Sequence, residues 1–200
     1  AARVVYDYYG GAERFPESWN EMMTEVDKAD AAQFTKDEIL NPEGWVLLNF
    51  IMDARTGLGR FHVFTQSNYQ LMMSLIDCCR YYSINDILKL DDVIERVDLY
   101  KDHAENGIAQ IKRCATLQGN LVVLDLREEE VIYAINRFMI YALFPEANIS
   151  VHVMWGLKKQ KTVFAIGKSI LNQSSNTNIG ELCLSYQGGG HHKAGTCQVE

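Results

Sequence analysis

NIGELCLSYQGGGHHKAGTCQVE, residues Asn178–Glu200, is the stretch on which the reading of the whole chain turns. Asn178 followed three positions on by Glu181 is a helix-start pair, and the apolar run behind it reads as a short helix. Gly188, Gly189 and Gly190 follow at once, and a short alternating segment closes the chain. Three of the 14 glycines standing together cost conformational entropy on folding, so the run needs a local return. One glycine would be a helix stop. Three let the backbone come close to a ligand, with amide N–H groups turned toward an anion. His191, His192 and Lys193 add side-chain donors, and a phosphate-contacting loop is preferred over a plain connector. A metal site fits less well here: adjacent histidines on an extended segment face opposite ways, and no neighbouring carboxylate is expected to complete a set.

Working backward, TVFAIGKS and NISVHVMW read as two strands joined by the basic turn GLKKQK. Lys168 and Ser169 end the later of the two and offer further donors near the same anion. His152 alternates with Val151 and Val153 and is expected on the polar face of its strand. Before these come NLVVLDL, a β-branched run, and EEEVIYAINRFMIYALF, which reads as an amphipathic helix stopped by Pro145. The order strand, helix, strand, strand, helix, strand describes a small α/β domain over residues 116–200.

Residues 1–115 read as helical. Ala1–Tyr9 ends at Gly10-Gly11, a left-handed stop, and Ser18/Glu21 and Ser67/Gln70 are expected capping boxes. Tyr69, Met72, Met73, Ile76 and Cys79 recur at helical spacing and predict a face buried in the core. Asp92 and Glu95 are expected to open a long connecting helix with apolar positions from Val93 to Ala115, on which His103 lies off the stripe and in solvent. Asp27 and Asp30 share a helix face and could serve a hard cation, although two carboxylates alone more simply make a solvated acidic helix end. MDARTGLGRFH (Met52–His62) fits a phosphate-steering loop and a turn with surface arginines equally well.

The net charge of −7, from 19 basic and 26 acidic side chains, argues against sequence-blind duplex binding, which needs an excess of Lys and Arg. A hydrophobic content of 48% with 22% charged residues fits a folded domain. Five cysteines with no CxxC pair read as buried apolar side chains of a reducing compartment. No run approaches the roughly 20 apolar residues of a membrane span. Both ends look cut, so the expectation is a piece of a longer cytoplasmic protein.

The segment VFAIGKSILNQSSNTNIGELCLSYQGGGHHKAGTCQV resembles the C-terminal, DHH-associated domain of DHH-family phosphoesterases, in which a short helix runs into Gly-Gly-Gly-His and a closing strand. Gln187 stands where many relatives carry a small residue. AARVVYDYYGG and VDKADAAQFT resemble the latter part of the catalytic DHH domain in the exopolyphosphatase-like and oligoribonuclease-like branch, although no Asp-His-His triplet occurs in these 200 residues. The resemblance implies an α/β architecture: the helical remainder of a DHH domain with its connecting helix over 1–115, then a substrate-binding domain over 116–200. It implies two-metal phosphoester hydrolysis with Mn2+, or Mg2+ in its place, by a metal-activated water with no protein nucleophile. Asp27 would be a remaining metal ligand with Asp30 as second candidate. Gly188, Gly189, Gly190, His191 and His192, with Lys168 and Ser169, would hold substrate phosphate. Expected substrates are short RNA or DNA, polyphosphate or a nucleotide, with no membrane partner and homodimerisation left open. Since most of the family's metal ligands are missing, the resemblance implies that these 200 residues alone would be inactive or nearly so. The alternative is a non-catalytic module that binds nucleic acid or nucleotide.

Overall fold

The computed structural model describes residues 2–200, and the chain divides into two compact units, Ala1–Asp102 and His103–Glu200. The division falls inside a long helix rather than at its end near 116, for a reason visible in the second unit.

The first unit is helical: α1 (Ala2–Tyr8), α2 (Gly11–Arg14), α3 (Ser18–Ala31), α4 (Lys36–Leu40), α5 (Gly44–Met52), α6 (Asn68–Tyr81), α7 (Ile84–Ile87) and the start of α8 (Asp91–Cys114). Its core gathers around α5, which buries Val46, Leu47, Leu48, Phe50 and Ile51, and Phe34 meets Phe50 edge-on at 5.0 Å. The Ser67/Gln70 capping box forms as expected. A second, Thr35/Glu38, opens α4 with the same T-x-x-E signal. The Ser18/Glu21 box does not form. Glu17 is the residue before α3, and the first free amides, of Trp19 and Asn20, donate to the Pro16 and Glu17 carbonyls instead. Nor do Asp92 and Glu95 cap α8. Glu95 accepts from the amide and hydroxyl of Thr65, and Asp92 from the Gln66 side chain, so both tie an upstream loop to the helix.

The stripe expected to bury α6 faces outward. Leu71 and Leu75, one turn apart, are the residues this helix buries, while Tyr69, Met72, Met73 and Ile76 are exposed. Two i, i+4 apolar sets compete on one helix, and the smaller one wins the core.

In the second unit, strands β1 (Ala115–Gln118), β2 (Leu121–Asp125), β3 (Ile149–Trp155), β4 (Thr162–Lys168), β5 (Gly189–His191) and β6 (Ala194–Val199) form one sheet in the order β1-β2-β3-β4-β6-β5. All neighbours are antiparallel except β2 and β3. Helices α9 (Met139–Leu143) and α10 (Ile179–Ser185) complete it. The long helix expected over 128–144 shrinks to α9. The segment before it is pinned by α8: Gln110 donates to Glu129 and to the Val131 carbonyl and accepts from the Tyr133 amide. His103 Nδ1 accepts from the Ala134 amide at 3.1 Å and its ring meets Tyr133 edge-on, so this histidine is not simply solvated. Those side chains satisfy backbone groups that a helix would otherwise pair internally. They also explain why the far half of α8 belongs to the second unit.

His152 departs from expectation too. Its register partners are Leu124, buried, and Ala165. Directly paired residues share a sheet face, so His152 sits on an apolar face, and burial pushes its imidazole down to about 4.

Candidate functional site

Helix α10 lies on the sheet through Ile179 and Cys183, one turn apart and fully buried with Cys197 of β6, against Ile149, Phe164 and Ile166. That anchoring turns Glu181 and Leu184 outward. The helix ends in a Schellman arrangement: the Gly188 amide donates to the Cys183 carbonyl at 2.8 Å and the Gln187 amide to the Leu184 carbonyl at 3.0 Å. Gln187, not a glycine, takes the left-handed position with φ 59°.

The three glycines divide their work. A Cβ on Gly188 would lie 2.2 Å from the Thr196 carbonyl oxygen, and one on Gly190 2.3 Å from that of Ala194. Both must be bare for the chain to pass tightly beside β6, and the Gly188 amide is already spent on the helix end. Gly189 has open space where its Cβ would be. The run therefore serves close packing first, and its free surface is at Gly189–His192.

Those residues form one wall of a concave pocket of about 290 Å³, lined by Asn178, Gly180, Glu181, Leu184, Gly189, Gly190, His191 and His192. This lies near the lower end of small-molecule pockets, about 300 Å³. A carboxylate does stand beside the histidines: Glu181 shares their pocket, contrary to the expectation of none nearby. Among the described residues, however, no group of three His, Cys, Asp or Glu side chains is placed to hold a metal ion.

Both histidines have a defined tautomer. His191 Nδ1 accepts from the Lys193 amide at 3.2 Å. His192 Nδ1 lies 3.4 Å from Lys168 Nζ, and because an ammonium can only donate, Nδ1 accepts there also. Each ring thus keeps Nε2 as its N–H donor, and both rings are exposed. Lys168 also donates to the Ser175 carbonyl at 3.0 Å, so the ammonium is held beside His192 rather than left to swing. Ser169 is not a ligand-facing donor. It is buried, and its hydroxyl accepts from the Leu171 and Asn172 amides to cap the loop after β4.

In the first unit, Asp27 and Asp30 both lie on α3. One oxygen of Asp27 takes Arg3 Nε at 2.8 Å and Nη2 at 2.7 Å, a surface ion pair. Among the described residues no third His, Cys, Asp or Glu joins them in a group that could hold a metal ion, so these residues do not fit a metal centre on their own. The Met52–His62 loop folds into two short 3-10 turns, and Arg55 is held by Asp53 through Nε at 2.7 Å and Nη2 at 2.8 Å. It resolves toward a turn with self-paired arginine. No helix among the described residues is long and apolar enough to cross a membrane.

Against known proteins, the chain aligns with the pGpG-specific phosphodiesterase PggH of Vibrio cholerae at 61% identity and TM-score 0.88, over 99% of this chain and 66% of that one. The chain belongs to the DHH-family phosphoesterases. It spans just under two thirds of the PggH chain. An exopolyphosphatase-related protein from Bacteroides fragilis aligns at 12% identity and TM-score 0.44, over 94% of this chain and 53% of its own. An uncharacterised protein from Helicobacter pylori aligns at 13% and 0.32, over 92% and 52%. Neither of these two distant alignments carries weight for the site. No protein-family model matches the chain, and no curated protein does. The DHH-family chain thus has the expected mixed architecture, helical first and then a six-stranded mixed sheet.

Proposed function

We propose that this chain is the substrate-holding part of a phosphoester hydrolase acting on a short oligonucleotide, a two-nucleotide substrate such as pGpG being the best-supported case. The observation that carries the reading is the α10–β5 pocket, with two Nε2–H donors at its rim, in a chain 61% identical to a pGpG-specific phosphodiesterase. His191, His192 and Lys168 supply donors and positive charge to phosphate oxygen, and Gly189 and Gly190 let the ligand approach the backbone. Gly188 and Ser169 act one step back, shaping the helix end and the loop after β4. Metal-dependent hydrolysis is general to the family, but Asp27 and Asp30 do not compose a centre here, so no bond-breaking step is assigned to these residues. The acidic net charge of −7 fits a small phosphorylated ligand better than a long nucleic acid.

Calorimetric titration of the 200-residue chain with pGpG in EDTA tests the reading. Saturable binding is expected without metal. Loss of one charge-assisted hydrogen bond in His191→Ala should weaken it about tenfold or more. Turnover of pGpG by this chain with manganese should not exceed that of buffer. Binding unchanged by His191→Ala would overturn the site. Brisk turnover by this chain would overturn the division between holding and cutting.

A further inference from the structure

Glu181 is unexplained by phosphate binding. A carboxylate lining the same pocket as two phosphate-directed histidines repels phosphate oxygen, yet it makes no hydrogen bond or ion pair among the described residues. Beside it, the orientation of Asn178 is fixed by its role at the helix start. Its Oδ1 accepts from the Glu181 amide at 3.3 Å, which leaves the Nδ2 amino group as a donor. The two side chains therefore offer the pocket one amide donor and the two acceptor oxygens of a carboxylate, with the exposed apolar side chain of Leu184 also lining it.

Resting on the proposal that this pocket holds a nucleotide, we propose that Asn178 and Glu181 read the Watson–Crick edge of a guanine and make the site guanine-selective. Guanine offers an acceptor at O6 and adjacent donors at N1–H and N2–H₂, the complement of that pattern. The carboxylate takes both donors, one on each oxygen, and the Asn178 amino group reaches O6. Adenine turns the N1 lone pair toward the carboxylate and is repelled. Cytosine fails in the same way at N3. Uracil offers one N–H between two carbonyls, so one carboxylate oxygen is left facing a carbonyl. Hypoxanthine keeps O6 and N1–H but lacks the second donor. Leu184 gives the base plane an apolar surface, and the histidine rim takes the attached phosphate. The recognition uses the two side chains and not the helix terminus.

The test measures binding of pGpG, pIpI and pApA to the wild-type chain, Glu181→Ala, Glu181→Gln and His191→Ala by calorimetry, with circular dichroism to show that each variant is folded. Glu181 is exposed, so its replacement leaves the core untouched. Wild type should prefer pGpG over pApA by about 5- to 150-fold, the worth of one good bidentate base contact, with pIpI between them. Both Glu181 variants should lose that preference while still binding pApA, and His191→Ala should weaken all three dinucleotides alike. A guanine preference that survives in Glu181→Ala overturns the assignment. Equal affinity of wild type for all three, with loss in His191→Ala, also overturns it and leaves the phosphate reading standing. Failure of every dinucleotide to bind overturns both.

Discussion

The two units handle buried polarity in opposite ways. In the helical unit a full positive charge is buried: Arg96 has no exposed surface, while apolar side chains of α1 and α6 such as Val4, Tyr8, Tyr69 and Ile76 stand in solvent. In the sheet unit the polar residues buried as a whole are neutral, and Arg137 buries only part of its guanidinium, at Nε. Tyr141 shares a hydrogen bond of 2.7 Å with Ser150, and burial raises its hydroxyl to about 12. Burial likewise holds His152 uncharged. A sheet satisfies its backbone by strand pairing and needs no wholly buried cation to do so. A cluster of short helices leaves loop carbonyls to be met, and a guanidinium with five N–H groups in a fixed fork can meet several at once.

Arg96 is where that contrast breaks most heavily. Its Nε donates to Asn68 Oδ1 at 3.0 Å, Nη1 to the Asp92 carbonyl at 2.7 Å and Nη2 to the Gln66 carbonyl at 2.8 Å. The guanidinium also lies 4.2 Å from the centre of the Phe64 ring. Arg96→Ala strands three acceptors at about 1–3 kcal/mol each and opens a cavity, so a loss of about 3–5 kcal/mol is expected from urea unfolding. Arg96→Lys should recover only part of it, since an ammonium cannot span the same fork. A loss below about 1 kcal/mol, the scale of an exposed pair, would mean that the cation is not holding the loop.

The sheet unit should instead betray itself in acid. His152 has a folded-state value of about 4 against an ordinary 6.5. The unfolded chain therefore takes up a proton first as pH falls, and the stability conferred by the neutral ring is complete above pH 6.5 and lost on the way down to pH 4. The shift corresponds to about 3 kcal/mol at most. His152→Leu keeps the face apolar and should flatten the stability curve between these limits. Parallel curves for the two proteins would show that the imidazole is not buried in the way its Leu124 and Ala165 neighbours imply.

What could be read in advance follows the same division. β2, β3, β4, α10 and the glycine turn were legible because strand alternation, the Asn178/Glu181 pair and Gly188–Gly190 are local signals, each decided within a few residues. The segment over 128–138 was not, because its backbone partners are Gln110 and His103, far away in sequence. The site was half legible. The expected grouping of the histidines with an open glycine is found at the pocket, whereas the commitment of the Gly188 amide and the burial of Ser169 depend on tertiary contacts. Glu181 was in view as a helix-start residue, and only the pocket gives its carboxylate a second role. On α6 the periodicity was right and its direction was not, since apolar spacing alone cannot say which of two faces turns inward.

That last point carries the smallest expected effect. Ile76 is 56% exposed on α6 and Leu75 only 7%, although both belong to apolar sets at helical spacing. Ile76→Lys moves a charge into solvent on a helix that favours lysine at least as well as isoleucine, so unfolding free energy should change by no more than about 0.5 kcal/mol. Leu75→Ala, on the buried side of the same turn, is the control, with a loss of about 2–5 kcal/mol. The pair separates two meanings of the α6 stripe. If Ile76→Lys proves as costly as Leu75→Ala, the outer face of α6 is covered in the folded protein, and the helical unit does not carry the apolar surface that the exposure of Ile76 implies.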